Sequence, residues 1–318
     1  MATYDKTISV CVITYNSSKF VLETLESVKA QSYKNIDLII SDDGSSDNTV
    51  NLCENWIERN QSRFKTTEII KSSFNSGTVN NINRAILACK TDWIKCLAGD
   101  DALFPNYLID IANFLSIDTY YIISCKAAVY KNDYSKANHY MDYINNCKFF
   151  DDTTSSSQQH NTLLSFSIHG SSLIVRRSLY NEIGLYDLKY PFLEDTPFAL
   201  KATAAGYKIY TANCFGVKYR VSSSSIQRTH GLFLSKYQKD FYRLKRNVIC
   251  PNSKGLAKIV RLMDIRITYL IFKRNRNQPN LFVCKIYSYY NFIYSQILKL
   301  LDYNKYKMLI GYSVKIKN

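Results

Sequence analysis

The stretch that decides the fold is ISVCVITYNSSKFVLETLESVKAQSYKNIDLIISDDGSSDNT, residues 8–49. Its opening run, ISVCVI, is apolar and β-branched and reads as a strand over 8–13. Ser17 or Ser18 is placed to cap a helix whose apolar face is Val21, Leu25 and Val28. A second apolar run, IDLIIS over 36–41, follows about 28 residues after the first, the length of one strand–helix–strand unit. So continuous a run fits a strand buried on both faces, as the strands of parallel sheets are.

The same rhythm continues outward. Asp47 is placed to cap a helix over NTVNLCENWIERN, TEIIK (67–71) reads as a third strand, TVNNINRAILACK as a helix and WIKCLA (93–98) as a fourth strand. Pro105 suits the first turn of a further helix. This alternation predicts an α/β fold, a mainly parallel sheet flanked by helices on both faces. After YYIISCKAAVY (120–130) the regularity breaks, and DDTTSSSQQHN (151–161) reads as a polar loop. SSLIVRR (171–177) and YKIYTA (207–212) are further strands, with a helix in TPFALKATAAG between them; Pro197 sits near its start and Gly206 ends it. Past Gly231 the pattern is helical, in GLAKIVRLMDIRITYLIFKR and again in NLFVCKIYSYYNFIYSQILKLL. Two regions are implied, 1–230 and a basic, aromatic-rich helical extension over 231–318.

With 318 residues, 46% of them hydrophobic, the chain can bury a sizeable core. The first residues carry too many polar groups for a signal peptide, and no apolar run approaches the roughly 20 residues of a spanning helix. The chain therefore reads as cytoplasmic. Nine cysteines without a C-x-x-C pair argue for reduced core thiols, not a disulfide frame or zinc site. Charge is unevenly placed: residues 231–318 hold 18 Lys and Arg against three Asp, a net +15, while the rest is balanced at 23 of each sign. Two readings of that tail stay open. Either its helices pack on the first region with their charges solvated, or they dock peripherally on an anionic surface, the inner face of the cytoplasmic membrane. Nucleic acid is disfavoured, because no basic strand platform with stacking aromatics is evident.

In an open parallel sheet, ligands bind beyond the carboxyl ends of the strands. Three acidic clusters fall at such junctions: Asp42–Asp43, Asp100–Asp101 and Glu194–Asp195. Each alone is an ordinary turn or helix start. Their order and placement together point to a site, and no Lys or Arg lies within two residues of either Asp pair. A divalent cation, Mn²⁺ or Mg²⁺, would supply the missing countercharge and bring a substrate phosphate with it.

Residues 8–49, together with NSGTVNNINRAI, WIKCLAGDDALFP and YPFLEDTPFALKATAAGYKIY, resemble the family 2 glycosyltransferases, and the resemblance spans about residues 8–226. It implies the glycosyltransferase A fold, with a Rossmann-like sheet in a nucleotide-sugar-binding catalytic domain over 1–230. It also implies an inverting, metal-dependent transferase that uses a nucleotide-sugar donor, with UDP favoured, to extend a lipid-linked saccharide in surface-polysaccharide synthesis (O-antigen or capsule). By the same resemblance Tyr15 packs on the base, Asp43 reads the uracil ring beside Asp42, and Asn75, Gly77 and Arg84 line the donor pocket. Asp101 is the metal ligand, Asp100 points to the ribose or the metal, Asp195 is the catalytic base, and Glu194 joins the substrate-binding set.

Two positions depart from the family pattern. Ala98 stands where relatives often carry the first Asp of L-D-x-D-D, and Ser222 where they often carry a His, which leaves His169 and His230 as substitute ligands by hypothesis. Those departures keep a non-catalytic nucleotide- or glycan-binding scaffold as the alternative. A dinucleotide enzyme is excluded on motif, since the ten glycines form neither G-x-G-x-x-G nor a Walker loop.

Overall fold

The structure, a computed structural model, describes residues 5–143, 154–164, 170–221, 234–253, 255–278, 287, 289–294 and 296–298. Strands β1 (Ile8–Thr14), β2 (Ile36–Asp42), β3 (Thr66–Lys71) and β4 (Trp93–Ala98) alternate with helices α1 (Val21–Lys29), α2 (Thr49–Asn60) and α3 (Thr78–Ala88). All three pairings among these strands are parallel, in the order β3-β2-β1-β4. Residues alternate across the sheet as strand geometry requires. Val10 and Val12 pack with Val21, Leu25 and Val28 of α1, whereas Cys11 faces Val79, Ile82 and Ile86 of α3 on the other side.

The second half adds β5 (Ala102–Leu103), α4 (Tyr107–Leu115), β6 (Ile122–Lys131), β7 (His139–Tyr143), α5 (Ser155–Leu164), β8 (Leu173–Arg176), α6 (Arg177–Ile183), α7 (Asp195–Ala204) and β9 (Ile209–Val221). The sheet runs β3-β2-β1-β4-β8-β6-β9-β5, with β7 on the side of β6. Antiparallel pairing enters only where β8, β5 and β7 join. Helix α8 (Lys236–Leu244), a π-helical turn (Lys245–Ile249) and α9 (Gly255–Asn275) follow. Among the described residues no helix is long and apolar enough to cross a membrane, and the seven described cysteines are free thiols.

Several elements differ from expectation. Neither Ser17 nor Ser18 caps α1 with its side chain; the Ser17 carbonyl instead accepts the Phe20 and Val21 N–H groups, each at 2.9 Å. Asp47 does hold the start of α2, accepting the Thr49 N–H at 3.0 Å. Pro105 precedes α4 instead of opening it, and its carbonyl accepts the Ser32 N–H at 3.0 Å. The polar loop is in part helix α5, because the buried Gln158 clamps it onto the sheet. Its amide donates to the Ile209 carbonyl at 2.9 Å and accepts the Ile209 N–H at 2.8 Å. Strand β9 runs 13 residues, far past 212, because its second half pairs with β6. In the tail, α9 buries Arg261 and Asp264 and exposes Leu256, Ile259, Met263 and Leu270, while Lys258, Arg266, Lys273 and Arg274 remain in solvent.

Candidate active site

The carboxyl ends of β1, β2 and β4 meet at one rim. The Asp43 N–H donates to the Thr14 carbonyl at 3.0 Å and the Gly99 N–H to the Ile13 carbonyl at 2.8 Å. At Gly99 the approach is too close for a side chain, since a Cβ there would lie 2.9 Å from Thr14 Cγ2 and 3.2 Å from the Ile13 oxygen. This contact seats Asp100 and Asp101 beside the first acidic pair.

Asp42 and Asp43 are buried and fully engaged by the chain itself. Asp42 accepts from Thr14 Oγ1 (2.8 Å), the Ser45 N–H (2.8 Å) and Ser45 Oγ (2.6 Å). Asp43 accepts from the Ser76 N–H (2.9 Å), the Gly77 N–H (2.7 Å), Ser76 Oγ (2.6 Å) and Arg84 Nη2 (3.0 Å). A carboxylate has about four acceptor sites, so Asp43 is saturated. The countercharge absent from the neighbouring sequence therefore arrives from 41 residues away, as Arg84, and this pair needs no metal. Asn75 is exposed and accepts the Gly77 N–H at 3.0 Å; Gly77 takes φ 96° at the start of α3. Tyr15, 47% exposed, stands at the rim.

The second pair is held differently. Asp101 is 1% exposed; Oδ1 accepts the Arg220 backbone N–H at 2.9 Å, but Oδ2 is buried without a hydrogen-bond partner. Burial, and then the Asp100 charge, pushes the Asp101 carboxyl well above the usual carboxylate range; burial also raises Asp100. Arg220 Nε donates to the Asp100 carbonyl at 2.8 Å, and its guanidinium also pairs with Glu23, between the rings of Phe20 and Tyr134. Lys95 is fully buried in β4 and donates to the carbonyls of Ser171 and Leu173.

Glu194 and Asp195 form the third cluster, at the start of α7. Asp195 Oδ1 accepts the Thr196 N–H at 2.6 Å and Thr196 Oγ1 at 3.2 Å. Burial pushes Asp195 up to about 6. Burial and the charge of Asp195 push Glu194 up to about 7. Gly170 lies against both, and a Cβ there would come within 3.1 Å of Glu194 Oε1. Tyr219 ties this cluster to the second: its phenol is raised by burial and then by the charges of Asp101, Asp100, Glu194 and Asp195.

The orphaned Asp101 Oδ2, with the Asp100 carboxyl beside it, fits a hard divalent cation, which takes oxygen ligands. Among the described residues no three His, Cys, Asp or Glu side chains cluster as a metal site. His169, His230 and Ser222 lie outside the described residues. Sequence reasoning missed Arg220, Tyr219, Lys95 and Gly170. A Lys inside the apolar run WIKCLA, and the Tyr–Arg step just before Ser222, were the available signals.

Such a site sets buried acidic clusters, two of them raised in proton affinity, on an α/β sheet. The profile of glycosyl transferase family 2 matches residues 9–184, more than half of the chain, and the chain belongs to that family. It is 23% identical over 282 residues to an uncharacterized glycosyltransferase of Haemophilus influenzae, covering 85% of this chain and 82% of that one. It is also 23% identical over 224 residues to the Escherichia coli UDP-Glc:alpha-D-GlcNAc-diphosphoundecaprenol beta-1,3-glucosyltransferase WfaP, covering 69% and 79%. Among solved structures, S. aureus TarS in complex with UDP-GlcNAc matches with a TM-score of 0.56 at 20% identity, over 81% of this chain and 71% of that one. The Pyrobaculum calidifontis mannosyltransferase PcManGT, in complex with GDP-Man and Mn²⁺, matches at 0.55 and 15% identity, over 80% and 68%. A longer TarS chain is spanned over 42% of its length. These likenesses agree with the expected glycosyltransferase A fold.

Proposed function

We propose that the chain is an inverting, metal-dependent glycosyltransferase that moves a sugar from a UDP-sugar to a lipid-linked saccharide during assembly of a bacterial surface polysaccharide. The observation that carries this reading is the unsatisfied Asp101 Oδ2; beside it in support stands the Glu194–Asp195 pair, whose proton affinity is raised and whose charges act on the same Tyr219 phenol. The first suits a metal diphosphate. The second suits proton removal from an acceptor hydroxyl near neutral pH. UDP-GlcNAc in the TarS complex, the diphosphoundecaprenol acceptor in the name of WfaP and Mn²⁺ in the PcManGT complex support the donor, acceptor and ion.

In this reading Tyr15 stacks on the base, and Asp43, saturated by Ser76, Gly77 and Arg84, shapes the donor pocket with Asn75. Asp101 and Asp100 would hold the divalent cation, whose charge offsets that of the departing diphosphate. Asp195 takes the proton of the acceptor hydroxyl as its oxygen bonds to the anomeric carbon from the face opposite the UDP, and the bond to UDP breaks. With Asp195 pushed up to about 6 and Glu194 to about 7, the pair carries one charge between those values.

Calorimetric titration of UDP, with and without Mn²⁺, into the wild type, Asp101→Asn and Asp195→Asn tests the assignment. The expected result is cation-dependent binding that Asp101→Asn loses and Asp195→Asn keeps, with transfer by the latter lower by about 10² to 10⁴. Near wild-type transfer by Asp195→Asn would remove it as the base. Absence of UDP binding under both conditions would reject the donor.

A further inference from the structure

Helix α9 buries a polar stripe and exposes an apolar one. Along α9, Arg261, Asp264 and Thr268 recur at helical spacing and are 3%, 0% and 2% exposed. They are held by polar partners: Arg261 by Ser253, Asp264 by Lys245 at 2.7 Å, Thr268 by the Tyr287 hydroxyl at 2.7 Å. The opposite stripe, at intervals of three, four and seven residues, is Leu256, Ile259, Met263 and Leu270, which are 64%, 54%, 56% and 63% exposed. A helix at a protein surface normally shows the reverse. Ten of the seventeen large hydrophobic side chains exposed among the described residues fall between 256 and 297.

Charge says what covers this face. Lys258, Arg266, Lys273, Arg274 and Arg276 are all exposed among or beside the apolar residues, whereas the single acid of α9, Asp264, is buried. The outward surface is therefore apolar and cationic with no anion of its own. A cavity of about 250 Å³ borders it, lined by Lys239, Tyr242, Arg243, Arg246 and Phe272, with Tyr269 at once a lining residue and an exposed member of α9. Two copies of such a face would bring like charges together. An anionic bilayer matches both features, since apolar side chains enter the acyl boundary while Lys and Arg meet the headgroup phosphates.

We propose that α9 and the cavity beside it form a peripheral docking surface for an anionic lipid bilayer, with Ile259, Met263 and Leu270 as the inserted side chains. The surface is carried by the tail alone. The lipid-linked acceptor proposed above gives it a purpose, and the two readings fail separately.

The test is flotation of the full chain with vesicles of phosphatidylcholine, with or without phosphatidylglycerol. The wild type is expected to float with the anionic vesicles, and less so as salt is raised. The triple variant Ile259→Ser, Met263→Ser, Leu270→Ser should bind at least tenfold more weakly with an unchanged melting curve, because all three side chains already face solvent. Arg266→Glu with Lys273→Glu should remove the preference for anionic over neutral vesicles. Leu188→Ser, an exposed apolar position outside the tail, should change nothing. Wild-type binding that ignores lipid charge would overturn the proposal. So would a triple variant that still floats, or one that turns a wild-type dimer into a monomer by light scattering, which would give the face to a second copy. Asp195→Asn should float like the wild type, which keeps this outcome apart from the fate of the active site.

Discussion

Asp42–Asp43 and Asp100–Asp101 are the same dipeptide at the carboxyl ends of β2 and β4, the two parallel strands that flank β1, yet they meet opposite fates. In the first, both carboxylates are satisfied by hydroxyls, backbone N–H groups and Arg84. In the second, the partners supplied by Arg220 go mostly to carbonyls and to Glu23, and Asp101 Oδ2 is left buried and unpaired. A buried polar atom without a partner costs free energy, so Asp101 Oδ2 has acceptor capacity left for the proposed cation, whereas the first pair has spent its capacity on the chain itself. The two pairs differ in the donor supply around them, not in their local sequence.

The largest effect expected from this contrast is on activity. Asp101→Asn should lower transfer on the order of 10²-fold or more, because a bound cation supplies several kcal/mol of charge stabilisation. Its unfolding midpoint in urea should not fall, since the replaced oxygen had no partner to lose. A lower midpoint with retained transfer would reverse the roles of the two pairs.

Asp43→Ala should do the opposite in kind. It strands Arg84 and two backbone N–H groups, which by analogy with broken buried pairs costs about 3 kcal/mol of stability. A double-mutant cycle with Arg84→Ala sharpens the point: the pair should show a coupling of about 1 kcal/mol or more, whereas Asp101 with Arg84 should show none. Additivity of Asp43 and Arg84 would mean that the ion pair contributes little and that Ser76 and Gly77 carry the anchor.

Smaller still is the effect of Gly99→Ala. Its Cβ would sit 2.9 Å from Thr14 Cγ2, and relieving that contact by parting β4 from β1 should cost about 1–3 kcal/mol. Because Thr14 also donates to Asp42, the strain should reach both pairs, and UDP affinity should fall with stability. A fall in stability alone would show that the second pair is positioned from the Arg220 side.

Much of this was legible in the chain. The β1–β4 core follows from apolar runs and helical spacing that agree with each other over residues 8–98, and the three acidic clusters were found because strand ends are where ligands bind. The rest depends on contacts no local pattern encodes. Arg220 reaches Asp101 across 119 residues, Gln158 reaches Ile209 across 51, and the Tyr219 phenol lies in the field of two acidic clusters at once. The Ser- and Gln-rich segment of α5 has no apolar face to announce a helix, and the clamp that fixes it lies in another element. In α9 the periodicity was visible, but which stripe faces inward was decided by Lys245, Ser253 and Tyr287.

The smallest effect bears on the third cluster, where partial satisfaction sets a proton affinity. Asp195 must be ionised to accept a proton, and burial has pushed it up to about 6, so transfer should rise with pH through that region and level off above it. Thr196 opposes the shift, because its N–H and its hydroxyl both donate to Oδ1 and favour the charged form. Thr196→Val removes the hydroxyl donor and keeps the N–H. The acid limb should then move to higher pH by a fraction of a unit, with the plateau rate little changed. Since Glu194 and Asp195 titrate together, the limb reports the pair, and the direction of its movement is the test. A limb that moves to lower pH, or does not move, would show that the titrating group is not the carboxylate held by Thr196.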